Sequence, residues 1–180
     1  MGEVKVTSES LRAAEISLQL DMYDDIFSDF DPRPFSQRAL SDDFLLEARR
    51  ASRDKPNGAF EIRFMMPKED RNPAEEQLIK RRLKDHFHKH YVETVGKTTA
   101  VTRKGYTLII LGIFVALGGG YIALYEHSFF AKVAIIVLEP ASWFCIWSGF
   151  DHLVFNGKEY EEDLVFYEKM RNADILFEGY

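Results

Sequence analysis

Ile16, Leu18 and Leu20 alternate with Ser17, Gln19 and Asp21, the period of a strand with one buried face. Phe60, Ile62, Phe64 and Met66 repeat the pattern against Glu61, Arg63 and Met65, after a turn at Pro56-Asn57-Gly58. Between these strands, Ser41 can cap a helix that opens on Asp42-Asp43, which suits the positive end of a helix dipole; Phe44, Leu45 and Ala48 form its buried side. Asn72-Pro73 followed by Ala74-Glu75-Glu76 is a second helix start, and Ile79, Leu83, Phe87 and Tyr91 then recur at four-residue steps. Near the C-terminal end, residues 160–171 read as a short helix with Leu164, Val165 and Phe166 among acids. Ile175-Leu176-Phe177 reads as a last strand.

Two apolar runs interrupt this pattern. Residues 106–125 contain no charge, and twenty residues in a helix cover about 30 Å, the hydrocarbon thickness of a bilayer. Residues 129–155 form the second run, in which residues 133–150 carry only Glu139. The connection Glu126-His127-Ser128 is short, so the two helices must be antiparallel neighbours. Lys97, Arg103 and Lys104 precede the first run and Lys158 follows the second. The connection has neither Lys nor Arg, and Lys132 is the one dissenting charge. The positive-inside bias predicts a two-span protein of the cell membrane with both termini cytoplasmic. The helix that starts at Pro73 is expected to run toward the membrane.

The predicted fold class is α+β: a small cytoplasmic α/β domain with an inserted two-helix transmembrane hairpin. Its expected parts are an N-terminal α/β domain with a membrane-proximal helix at 1–105, the hairpin at 106–155, and a C-terminal helix and strand at 156–180 that complete the sheet. The two N-terminal strands, joined by a helical crossover, can lie parallel.

Composition changes this picture little. The mean hydropathy of -0.23 and 29% charged residues average over sharply segregated segments. The net charge of -6 is also uneven, with acids concentrated in residues 15–47 and bases in 80–104. The basic stretch lies just before the first apolar run, where lipid attraction explains it without nucleic acid. The lone Cys145 excludes an intramolecular disulfide and a cysteine-based zinc site. The start MGEVKVTSES lacks the apolar core of a signal peptide, and Val6 stands where a myristoylation signal needs Ser or Thr.

In lipid, helices associate through close backbone approach at small residues. Gly112, Ala116, Gly119, Gly120 and Ala123 are therefore expected to pack against Ala141, Cys145 and Gly149, which follow each other at four-residue intervals.

Glu139 is the leading candidate for chemistry, because a carboxylate in lipid is costly unless it is paired, protonated or facing water. It heads a stripe of Glu139, Trp143, Trp147 and Asp151 at four-residue spacing, with Pro140 beside it and His152 at the far end. The string Leu138-Glu139-Pro140-Ala141-Ser142-Trp143-Phe144 resembles the start of the second span in mitochondrial calcium uniporters. That resemblance implies a pore carboxylate at Glu139 and a helix-setting neighbour at Pro140. Where the family carries a Trp-Asp pair this chain has Ile135-Ile136, so the hallmark acid is absent.

Asp21, Asp24, Asp25, Asp29 and Asp31 supply enough carboxylates for Ca²⁺ or Mg²⁺, without the spacing of an EF-hand; an ordered turn around Arg33 and Arg38 is the plainer reading. Of His86, His88 and His90, only the outer two share a helix face. No phosphate loop, nucleophile elbow or HExxH motif occurs, so no catalytic residue and no cofactor is predicted. The expected function is a membrane-anchored scaffold or accessory subunit, partnered by membrane lipid and by a second copy or another membrane protein. An oligomeric cation- or proton-conducting protein using Glu139 is the alternative, and a lipid-handling enzyme using Asp151 and His152 a third.

Overall fold

The computed structural model describes residues 15–53, 55, 60–125, 127–156 and 160–180. The expected turn at Pro56-Asn57-Gly58, the flanking Lys158 and Glu126 of the connection lie outside them. The elements in chain order are β1 (Glu15–Gln19), a 3-10 turn at Tyr23–Ile26, α1 (Asp42–Arg53), β2 (Glu61–Met66), a second 3-10 turn at Lys68–Asp70, and α2 (Pro73–Tyr125). They continue with α3 (Phe129–Asp151), a π-helical turn at His152–Asn156, α4 (Glu161–Asn172) and β3 (Asp174–Gly179). The chain forms two compact units, Met1–Val92 with Leu164–Tyr180, and Glu93–Asp163.

The first unit is built on a three-stranded parallel sheet in the order β1-β2-β3. Register places Ile16 beside Ile62 and Ile62 beside Ile175, and one pleat further on Leu18, Phe64 and Phe177 in a second row. Side chains two apart share a face, so both rows line the same side of the sheet. Phe44 and Ala48 of α1, Ile79, Leu83 and Phe87 of α2, and Phe166 and Met170 of α4 complete the core. Phe64 is fully buried at its centre, 5.1 Å from the Phe177 ring and 6.0 Å from Phe44. In α4 the buried side is Phe166, Lys169 and Met170; of the apolar residues Leu164, Val165 and Phe166 only Phe166 is fully buried, and the other two are half-buried.

The opposite face sets Glu15, Glu61 and Asp174 in one row, a like-charge arrangement that costs stability unless compensated. Arg63 compensates it, lying 3.0 Å from Glu61, 3.3 Å from Glu15 and 3.5 Å from Glu178, so that one guanidinium ties all three strands. Its hydrogen bond to Glu61, followed by the neighbouring charges of Glu15 and Glu178, raises its pKa further.

Helix α2 begins where Pro73 predicts, with Asn72 Oδ1 accepting from the Ala74 amide at 3.1 Å. Its first turn is pinned by a buried network. Tyr23 donates its hydroxyl hydrogen to Glu76 at 3.1 Å, the Asn72 amide donates to the same hydroxyl at 2.8 Å, and Arg71 grips Glu76 with two nitrogens at 2.8 and 3.1 Å. Arg71 holds the Glu76 carboxyl below the usual range, against the opposing effect of burial. No break separates a membrane-proximal helix from the first apolar run: α2 is continuous through Gly96 and Gly105, each a modest propensity cost with no proline to end the helix.

Lys169 extends from α4 to the end of α1, where its ammonium donates to the carbonyls of Ser52 at 3.0 Å and Lys55 at 2.6 Å. Carbonyls at a helix C-terminus carry partial negative charge and lack intrahelical donors, so a buried lysine is satisfied there without a carboxylate.

Candidate functional site

In the second unit, the 106–125 segment of α2 and all of α3 are long and apolar enough to cross a membrane. Ser128 caps α3 by accepting the Ala131 amide at 3.2 Å. The two helices meet through glycines. A Cβ built on Gly149 would lie 2.5 Å from Ile109 Cγ1 and 2.7 Å from the Gly105 carbonyl oxygen. One on Gly112 would lie 2.6 Å from Ile146 Cγ1 and 2.9 Å from the Ser142 carbonyl oxygen. Gly119 faces Leu138 at an ordinary 3.7 Å.

This seam replaces the expected one on α3. Ser142 and Gly149 are buried and Ile146 half-buried, whereas Ala141 is exposed and Cys145 only half-buried. Residues four apart advance by 400° around a helix, so 141, 145 and 149 drift off any one face. Ser142, Ile146, Gly149 and Leu153 step by four, three and four, which keeps them on a common seam. On α2, Gly105, Ile109 and Gly112 take the same steps; Gly105 stands one residue before the 106–125 segment that the sequence reading takes as the span. Ala116, Gly120 and Ala123 are exposed, and a Cβ on Gly120 would meet nothing within 4 Å.

Those three small residues instead line a groove of about 300 Å³ whose other wall includes Glu139, Ser142 and Trp143. Glu139 is exposed, and its carboxylate has no hydrogen-bond or ion-pair partner among the described residues. Pro140 cannot donate to the carbonyl one turn back, and Ser142 donates its hydroxyl hydrogen to the Glu139 carbonyl at 2.7 Å. Trp143 and Trp147 stack at 6.3 Å. Trp147, Asp151 and His152 line a separate, largely apolar groove of about 740 Å³ with Phe144 and Phe155. The stripe from Glu139 to Asp151 is thus shared between two grooves, joined by the tryptophan pair.

The five aspartates of residues 21–31 do not converge. Asp25 Oδ2 accepts the amides of Asp21 at 2.8 Å and Met22 at 3.0 Å, and Asp24 pairs with Arg38. Asp31 binds Arg33 at 2.7 Å and accepts the Ala39 amide at 2.7 Å; the Arg33 hydrogen bond holds its carboxyl well below the usual range. Among the described residues no three His, Cys, Asp or Glu side chains are grouped to hold a metal ion. The segment around Asp24, Asp25 and Asp31 is an ordered turn in which backbone amides and arginines take up the carboxylate oxygens of these three residues.

His86 and His90 stand 4.3 Å apart between ring centroids, with His90 stacked on Tyr167 at 5.3 Å, while His88 is exposed. His86 Nε2 is buried without a hydrogen-bond partner among the described residues. Burial first, then the charges of His90, Arg82 and Lys89, lower its pKa from 6.5 to about 4. Below pH 6.5 the unfolded chain therefore binds a proton that the folded site refuses until about pH 4. Acidification through that window should cost the first unit about 1–2 kcal/mol, a figure discounted for partial exposure. His86→Leu should remove this component, seen as a smaller drop in thermal midpoint between pH 7 and 4.5 than in the wild type. Equal drops would show that His86 does not titrate differently on folding. Comparison with protein-family models, curated proteins and solved structures finds no match to this chain.

Proposed function

We propose that the chain is a membrane-anchored scaffold or accessory subunit that holds its α/β unit at the bilayer and assembles with itself or with another membrane protein. One observation carries this reading: the exposed, unpartnered Glu139 lies outside the seam that Gly112 and Gly149 use within the hairpin. A carboxylate left in hydrocarbon costs about 3 kcal/mol on insertion scales, and a protein partner or shared water can offset that cost. The expected mass in native-lipid discs is two or more chains, or one chain with a stoichiometric membrane partner. A lone chain at all concentrations would overturn the reading. Conduction by an oligomer is the second reading, and the same carboxylate favours it. There Glu139→Gln should alter cation or proton flux with the assembled mass intact, whereas a scaffold has no flux to lose.

The orientation rests on the basic flank of the first apolar run and on the sheet. Because β2 pairs with β3, residues 61–66 and 174–179 belong on one side of a membrane, which supports a paired crossing. Both termini are then cytoplasmic by the positive-inside bias. In a Cys145→Ser background, Ser128→Cys should react with an impermeant thiol reagent from outside intact cells, and Gly179→Cys should not. The reverse pattern would invert the orientation.

A further inference from the structure

We propose that the groove between α2 and α3 binds a membrane-soluble organic monocation, an ammonium centre carried on an apolar body. On the α2 side Ala116, Gly120 and Ala123 offer only methyl groups and backbone, while Glu139, Ser142 and Trp143 of α3, residues with a carboxylate, a hydroxyl and an indole, line the same 300 Å³; the Ser142 hydroxyl hydrogen is given to the Glu139 backbone carbonyl, which leaves its oxygen as an acceptor. That volume is at the small end of ligand pockets. Among these side chains the carboxylate is the only charge, so the complementary occupant is cationic. An inorganic divalent ion is poorly matched, since Ca²⁺ takes six to eight oxygens and only the Glu139 carboxylate and the Ser142 hydroxyl supply side-chain oxygen here. An organic ammonium needs no such shell: one carboxylate balances its charge, an indole attracts it through the ring quadrupole, and its carbon body fills the small-residue wall.

A lipid headgroup amine is also poorly matched. Glu139 is ten residues into α3, about 15 Å along the axis from its first residue and so about halfway across a 30 Å hydrocarbon layer. The occupant is therefore a cation that itself partitions into the bilayer. This occupant competes with a protein partner for the Glu139 carboxylate, so the assembled mass tests the assembly reading and cation binding by the assembled or single chain tests this one.

The chain contains two tryptophans, so in a Trp147→Phe background fluorescence reports Trp143 alone. Purified full-length protein in micelles is titrated with benzyltrimethylammonium, and with neopentylbenzene, the same shape with carbon in place of nitrogen. Saturable quenching by the cation is expected, with no competition from the neutral compound and about tenfold or more weaker binding in Glu139→Gln. Gly120→Leu, which fills the groove without touching the charge or the glycine seam, should weaken binding as much, and Gly118→Leu should leave it unchanged. Unsaturable quenching, equal affinity in Glu139→Gln, or equal binding of the neutral compound would overturn the proposal. Should Glu139→Gln not fold, equal binding by the Gly120 and Gly118 variants would overturn it. A dimer whose Trp143 answers the cation only after dilution to monomer would also overturn it, by seating a second copy in the groove.

Discussion

Gly149→Leu should separate the two helices of the hairpin. The added Cβ would sit 2.5 Å from an Ile109 side-chain carbon and 2.7 Å from the Gly105 backbone oxygen. A side chain can turn aside, but a helical carbonyl moves only with its helix, so even alanine requires the seam to open. In lipid the contact rests on close packing with little hydrophobic drive, and a lost fit is not repaid elsewhere. Overpacking of this kind costs about 1–3 kcal/mol, and leucine belongs at the upper end. The measurement is the thermal midpoint in mild detergent, with Ala141→Leu as control. Ala141 is exposed, so its variant should melt like the wild type. If Gly149→Leu also did so, the seam would lie elsewhere on α3.

Phe64→Ala should have the largest effect on the first unit. Its ring is wholly buried in the central strand, between Phe44 and Phe177, with a strand on each side to resist collapse of the cavity. Phenylalanine-to-alanine changes in such places cost about 3–5 kcal/mol, against a domain stability of about 5–15 kcal/mol. Leu18→Ala, in the same row but half-buried on edge strand β1, should cost clearly less. Chemical denaturation followed by far-UV circular dichroism would compare them. A Phe64 penalty no larger than that of Leu18 would mean that the sheet core repacks around the loss.

The strands, helix starts and two apolar runs were legible because each is written in a local period or a cap: the alternation at 16–20 and 60–66, Asn72-Pro73, and the charge-free stretch from Tyr106. Less legible were features that depend on two segments together. Four-residue spacing drew attention to Ala141 and Cys145, while the seam follows the four-three steps of Ser142, Ile146 and Gly149, a distinction that appears only when a partner helix supplies Ile109. For the aspartates of residues 21–31 the sequence supports an ordered turn with Arg33 and Arg38 over a cation site, but which amide each carboxylate takes, as Asp25 takes those of Asp21 and Met22, depends on the folded turn. Lys169 reads as a surface charge on an acidic helix until the end of α1 is placed against it.

The central strand of the sheet is flanked by one neighbour from each side of the hairpin in sequence, which orders the biogenesis of the protein. While the ribosome is still making the apolar runs, β2 has β1 beside it, but its other edge must wait for residues 174–179. Ile62 and Ile175 are over a hundred residues apart, and only the hairpin's return brings that interval to a short closure. Until then Ile62, Phe64 and Met66 stand at an unpaired strand edge, the kind of surface that joins other chains. In the two-span topology proposed above, the sheet is completed only after both apolar helices have been made, and a chain stalled before that point keeps this edge of β2 open.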